Sequence, residues 1–209
     1  MTSPSASPAS PAASRGPGRP REFDMDTVLD GAVRVFRERG YHATSVGDLS
    51  EATGLTAGSL YKAFGDKRGV FLAAFAHYVE ARNAWLRRLL DRQPSGYEKI
   101  RAVLHFYAQS SHGSEGRRGC LVVSSATALA TFDDDIAAQV EAAMRRSEDL
   151  LRQLLRQGQE DGSVAQDIDV TAMARVLLAV LQGFRLIGKS GRTRNDMMAA
   201  ADQALKLLA

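Results

Sequence analysis

Residues 44 to 64, Thr-Ser-Val-Gly-Asp-Leu-Ser-Glu-Ala-Thr-Gly-Leu-Thr-Ala-Gly-Ser-Leu-Tyr-Lys-Ala-Phe, place two helix starts around one turn glycine, and that spacing leaves little choice of local structure. Ser45 with Asp48 forms a Ser-x-x-Asp capping signature, in which the hydroxyl and the carboxylate satisfy amides at a helix start. Val46, Leu49 and Ala52 then recur at helical spacing until Gly54, whose backbone freedom suits a helix exit. Thr56 is a second N-cap. The helix after it buries Leu60 and Phe64 and leaves Ala57, Gly58, Ser59, Tyr61 and Lys62 outward. Small residues lead, and a phenol and an ammonium follow. A slim end can approach base edges, and donors behind it can reach phosphate oxygens, so the pair reads as a helix-turn-helix with the second helix as the recognition helix. A generic helical hairpin without DNA affinity, as in a helical adaptor, is the plainer alternative.

Upstream, Asp24 or Asp26 starts a helix with Val28, Leu29, Ala32, Val33 and Phe36 on one side, stopped at Gly40. It completes a three-helix unit. Met1 to Pro20 is serine, proline, alanine and glycine with too little apolar surface to offset ordering, so residues 1–20 are expected to be a disordered arm. Arg15, Arg19 and Arg21 stand there without an acid between them, which suits a polyanion even though the whole chain is only +3. Arg19 and Arg21 sit where flexible arginines can enter a minor groove; a solvated tail is the alternative.

The N-terminal third resembles the TetR family of bacterial transcriptional regulators. The resemblance is carried by Ala32-Val33-Arg34-Val35-Phe36-Arg37-Glu38-Arg39-Gly40-Tyr41, Thr44-Ser45-Val46, Gly54-Leu55-Thr56, Leu60-Tyr61-Lys62-Ala63-Phe64 and Asp66-Lys67. It implies a homodimer on a double-stranded DNA operator, Tyr41 as a core aromatic, and phosphate contacts from Thr44 and Lys67. Ala63 departs from the pattern, since many relatives carry histidine or a second aromatic there, so one phosphate contact is expected to be missing. Beyond about residue 80 the resemblance implies architecture rather than a ligand.

Asp66 caps a long helix running to about Arg92, with Val70, Phe71, Ala74, Tyr78, Ala81, Trp85 and Leu89 at spacings of three and four. This helix joins a domain of residues 21–67 to one of residues 68–209 and can act as a lever between them. Further helices are predicted over 97–112, 120–131, 133–159, 169–189 and 195–208, with an irregular glycine-rich stretch at 111–119. No alternating strand pattern occurs. The fold class is therefore all-α, a three-helix DNA-binding domain followed by a helical bundle for ligand and dimer contacts, about nine helices in total.

In the penultimate helix, Val176 to Leu181 is apolar right round, which one buried face cannot explain. Val176, Leu177, Val180, Leu181 and Phe184 are read as the dimer contact, with the final helix completing a two-fold interface. Trp85, Phe106, Tyr107 and Phe184, with Cys120, are read as the set facing a small-molecule effector. Cys120 follows Gly116-Arg117-Arg118-Gly119 and opens a helix, so two guanidinium groups and free amides are expected around its sulfur. A packed core thiol is the alternative. Some members of the resembled family with Gly-Cys-Leu at this point sense electrophiles or oxidants, and others do not.

Gly183-Phe-Arg-Leu-Ile-Gly188-Lys189-Ser190 satisfies the P-loop formula and is the main route to an enzyme, a nucleotide hydrolase. A phosphate cradle needs a strand before it and small residues in the loop, whereas Phe184, Leu186 and Ile187 are bulky and the surroundings helical. No enzyme activity, cofactor or metal is expected. His42, His77, His105 and His112 are scattered, and Cys-x-x-Cys and His-Glu-x-x-His patterns are absent. A single cysteine excludes an intrachain disulfide and fits a cytoplasmic protein. No apolar run is read as approaching the roughly 18 residues of a membrane span, and no membrane partner is expected.

Overall fold

Side-chain caps begin eight of the ten α-helices in the computed structural model, which describes residues 24–208. Asp24 starts α1 (Met25–Ala43), Ser45 α2 (Val46–Thr53), Thr56 α3 (Ala57–Phe64) and Asp66 α4 (Lys67–Leu90). Ser95 starts α5 (Gly96–Gln109), Asp133 α8 (Asp134–Glu160), Asp169 α9 (Val170–Ile187) and Thr193 α10 (Arg194–Leu205). Between α5 and α8 lie α6 (Gly113–Arg118) and α7 (Leu121–Ala128). Short 3₁₀ turns follow α9 and α10. No strand occurs among the described residues. The one helix the sequence reading lacked is α6, in the stretch expected to be irregular.

Both short helices of the pair are capped as their spacing predicts. Ser45 and Asp48 form a reciprocal capping box, and Gly54 ends α2 with φ 71°, a left-handed turn that a residue with a Cβ adopts only under strain. Gly40 interrupts α1 with φ 77° and ψ 168°, where the stop was expected.

Two apolar clusters organise the packing. One joins Val28, Ala32 and Phe36 of α1 to Leu49, Leu55 and Leu60 of the helix pair and to Val70, Phe71, Ala74, Phe75 and Tyr78 of α4. It also takes in Cys120, Leu121, Ile136 and Val140. The second cluster gathers Leu86 and Leu90 of α4 with α5, the C-terminal half of α8, α9 and α10. Both α4 and α8 therefore run through both clusters.

Val170–Ser190 contains an 18-residue window with a mean hydropathy of 1.6, long and apolar enough to span a membrane, which corrects the expectation that no such run exists. Here Leu177, Leu181 and Phe184 of this stretch are packed into the second cluster. The P-loop reading fails on the same helix: Gly183 to Ile187 belong to α9 and Gly188 to Ser190 to a 3₁₀ turn, with no preceding strand, so the amides are not arranged as a phosphate cradle.

Candidate nucleic-acid interface and sensing pocket

The outward side of α3 has the composition a groove-reading helix needs. Thr56, Ala57, Gly58, Tyr61, Lys62 and Ala63 are exposed and Ser59 is half-buried, while Leu60 is fixed in the core beneath. Thr56 Oγ1 accepts from the Ser59 amide at 3.2 Å and lies 3.0 Å from its hydroxyl, so both side chains are held at the helix start. Nothing bulky precedes Tyr61 on this face, and the α3 start can approach base edges closely.

Two residues assigned to phosphate by resemblance are engaged otherwise. Thr44 is only 1% exposed, and its hydroxyl donates to Gly40 O at 2.6 Å. Lys67 Nζ donates to Tyr41 O at 3.0 Å and Thr44 O at 3.1 Å, and lies 4.5 Å from the centre of the Tyr41 ring. In this structure both residues brace the turn between α1 and α2. Tyr41 itself is half-buried, stacked near Phe36 and edge-on to Phe71. Arg19 and Arg21 lie outside the described residues.

A cavity of about 320 Å³ opens between α4, α5, α8 and α9. Leu86, Leu90, Val103, Leu150, Leu151 and Leu181 make its apolar wall, and Asn83, Arg87, Arg146, Asp149 and Gln153 are the charged and amide residues along it. A second space of about 30 Å³ touches Cys120 and shares Asn83, Tyr107 and Ser147 with the first. Of the aromatics expected to face an effector, only Tyr107 lines these spaces. Trp85 is exposed and stacks on the half-buried Phe106 at 4.3 Å, on the outside of α4 and α5, and Phe184 packs in the second core cluster. The helical phase of α4 that buries Leu86 and Leu90 turns Trp85 away.

Cys120 is 6% exposed. Its Sγ lies 3.6 Å from Tyr78 Oη, which donates to it. Tyr78 Oη in turn accepts from Arg82 Nη1 at 3.0 Å and from Arg185 Nη2 at 3.1 Å. The Arg82 guanidinium is enclosed by aromatic rings, 5.4, 5.3 and 4.8 Å from the centres of Tyr78, Phe106 and Tyr107. Arg185 is buried and also donates to Ser110 O and Ser110 Oγ. Burial pushes the thiol pKa up, but Arg82 and Arg185, with the Val123 amide and Tyr78, outweigh it and bring it down to about 7. The expected guanidinium groups are thus present but are not the expected ones: Arg117 and Arg118 are exposed, and Arg118 pairs with Glu38 at 3.0 Å.

Known proteins resemble this chain along most of its length. Residues 28–74 match the model of bacterial regulatory proteins of the tetR family, and residues 96–204 match the tetracyclin repressor-like C-terminal domain. The HTH-type transcriptional repressor ComR of Escherichia coli (strain K12) is 32% identical over 193 residues, covering 91% of each chain. The chain belongs to the TetR family. The uncharacterized HTH-type transcriptional regulator YezE of Bacillus subtilis (strain 168) is 30% identical, over 91% of this chain and 99% of that protein. Among solved structures, a cysteine mutant of the TetR family transcriptional regulator CifR complexed with 26-bp double-strand operator DNA is 34% identical. It superposes with a TM-score of 0.81 over 91% of this chain and 100% of that one.

In this TetR-family protein the long-range contacts that tie α1 and α4 to the segments following α6 and α7 were missed by sequence reasoning. Arg37 of α1 donates to Gly119 O from Nε at 2.9 Å and from Nη2 at 2.6 Å, and pairs with Glu115 at 2.7 Å. The residue before Cys120 is therefore bolted to the DNA-binding unit. Arg68 grips Asp133 through two hydrogen bonds of 2.6 and 2.8 Å, and reaches Asp135 at 2.6 Å. Those two bonds, with the Ile136 amide, hold the Asp133 carboxyl down at about 2. The partners lie far apart in sequence, so no local spacing announces them.

The dimer residues divide by helical phase. Leu177, Leu181 and Phe184 are buried inside the protomer and cannot meet a partner, because they fill the space between α9, α5 and α8. Val176 is 44% exposed and Val180 half-buried; with Ala172, Ala179, Gly183 and Ile187 they form an outward stripe. The final helix packs chiefly against α5, so α8 rather than α10 is the main neighbour of α9.

Proposed function

We propose that this TetR-family protein is a repressor that acts in the cytoplasm as a homodimer, one α3 per half-site of a palindromic operator. We further propose that it leaves the operator when a small molecule fills the 320 Å³ cavity or when Cys120 is modified. The observation that carries the reading is the bare, small-to-polar outward face of α3 on a fully capped helix pair. The repressor ComR and the operator-bound CifR are similar proteins, which supports the sign of regulation and the kind of partner. Domain roles follow: residues 1–20 as a basic arm, 21–67 for DNA, 68–209 for ligand and dimer.

Dimerisation is assigned to the α9 stripe of Ala172, Val176, Ala179, Val180, Gly183 and Ile187. A two-fold contact is self-complementary, so a charge placed on it is introduced twice and meets its own copy or an apolar surface. Val176→Arg is expected to give monomers by sedimentation velocity, with operator binding falling in parallel. A Val176→Arg protein that remains dimeric would place the interface elsewhere.

A further inference from the structure

We propose that the ligand of the 320 Å³ cavity is an aliphatic monocarboxylate, with its chain in that cavity and its head group in the small annex lined by Arg82. This rests on the proposed small-molecule release and names the chemistry of the molecule. The two spaces adjoin, since Asn83, Tyr107 and Ser147 line both. The larger one is walled by five leucines and Val103, which give an alkyl chain contact but no hydrogen bond. At about 30 Å³ for each water-sized unit, it takes a chain of roughly eight to ten carbons. Its own charged residues are already matched. Arg87 and Arg146 lie 2.7 and 4.0 Å from Glu80, Asp149 pairs with Arg152 at 2.6 Å, and Arg87, Arg146 and Asp149 are exposed. That rim selects neither sign of charge.

The annex does select. It holds about 30 Å³, enough for one small head group. Arg82 donates from Nη1 to Tyr78 Oη, and the groups that act on its charge are Tyr78, Tyr107 and Cys120 rather than a carboxylate. Arg185, buried and bonded to the same Tyr78 Oη, otherwise donates to Ser110, and its Nε is buried without a partner. Two guanidinium groups so held are an unbalanced positive charge, and the Cys120 thiol, at about 7, is only a partial anion at neutral pH. An incoming carboxylate balances it, because its two oxygens match the fork of the Arg82 guanidinium. Asn83 Nδ2, buried without a hydrogen-bond partner, becomes a further donor to the head group when the amide turns about its last side-chain bond. An ammonium head would be repelled there, and an amide head would leave the charge unbalanced.

Head-group preference is the test. The full-length protein is titrated by calorimetry at pH 7 with octanoate, octanamide and octylamine, which share a chain length and differ in charge. Octanoate is expected to bind about tenfold more tightly than octanamide, and octylamine more weakly than either. Arg82→Gln should bring octanoate down to the affinity of octanamide while leaving octanamide itself unchanged, which a general loss of structure would not do. Leu150→Phe, which narrows the space for the chain, should weaken both alike. If Arg82→Gln does not fold, the ranking of the three compounds on the wild-type protein decides alone. Octanamide or octylamine binding as tightly as octanoate, no binding by any of the three, or an Arg82→Gln protein that keeps the preference would overturn the proposal. Operator anisotropy in the same samples separates the two readings. Octanoate that binds with this preference but leaves the operator complex intact removes the release reading and keeps the ligand class, whereas an operator complex that forms normally with a protein blind to all three compounds removes the ligand class alone.

Discussion

Replacing Tyr61 and Lys62 together by alanine is expected to lower operator affinity about a hundredfold and to flatten the dependence of log affinity on log salt by about one unit for each protomer bound. Both side chains are exposed on the recognition helix, so the folded protein loses no packing, and its unfolding midpoint should move by less than about 0.5 kcal/mol equivalent. Lys67→Ala provides the contrast. Its ammonium is already bonded to Tyr41 O and Thr44 O, so its loss should loosen the turn and weaken binding without the one-unit change in salt slope. Fluorescence anisotropy across a salt series measures both. A Lys67→Ala slope reduced by one unit would return that residue to the phosphate backbone.

Gly96→Val is expected to cost about 3 kcal/mol of stability, read as a lower urea midpoint. The start of α5 crosses α8 so closely that a Cβ at Gly96 would overlap Gly158 N and Cα, and would stand 2.7 Å from Leu154 O. Every atom in the way is backbone, so no side chain can rotate to make room. The same crossing is tied by Asp161, which accepts from the Gly96 amide at 2.7 Å. A Gly96→Val protein as stable as wild type would mean that α5 and α8 can separate without loss.

Local signals in the sequence were sufficient wherever the determinant was local. Ser45, Gly54, Thr56 and Asp66 act within a turn of themselves, and the helix pair lies where they place it. The face of α3 followed from the burial of Leu60. What local spacing could not supply was the neighbour. Helix α9 is apolar on all sides, so sequence could not say which side turns inward; packing against α5 and α8 buries Leu177, Leu181 and Phe184 and leaves Val176 outside. Cys120 shows the same limit. Its charge environment was read from the adjacent Arg117 and Arg118, but the chain turns those outward and brings Arg82 and Arg185 from α4 and α9. The proposed route from Cys120 to the DNA is also shorter than a lever along α4 alone. Cys120 and Leu121 lie in the cluster that holds α1, and Arg37 clasps the preceding carbonyl. Helix α6, with glycines at 113 and 116, has little intrinsic helical preference, and the tertiary bond from Arg37 to Glu115 holds it in place.

As a dimer, the protein should set two α3 helices on two symmetric half-sites. The most direct measurement selects a bound duplex from random-sequence DNA with the full-length protein. It then compares that duplex with one in which a single half-site is scrambled, by anisotropy and by the mass of the complex. The expected result is an approximate palindrome with half-site centres about 34 Å apart or a small multiple of that, bound by an even number of chains, and losing most of its affinity when either half is scrambled. A selected site without two-fold symmetry, or one bound equally well with half of it scrambled, would contradict it.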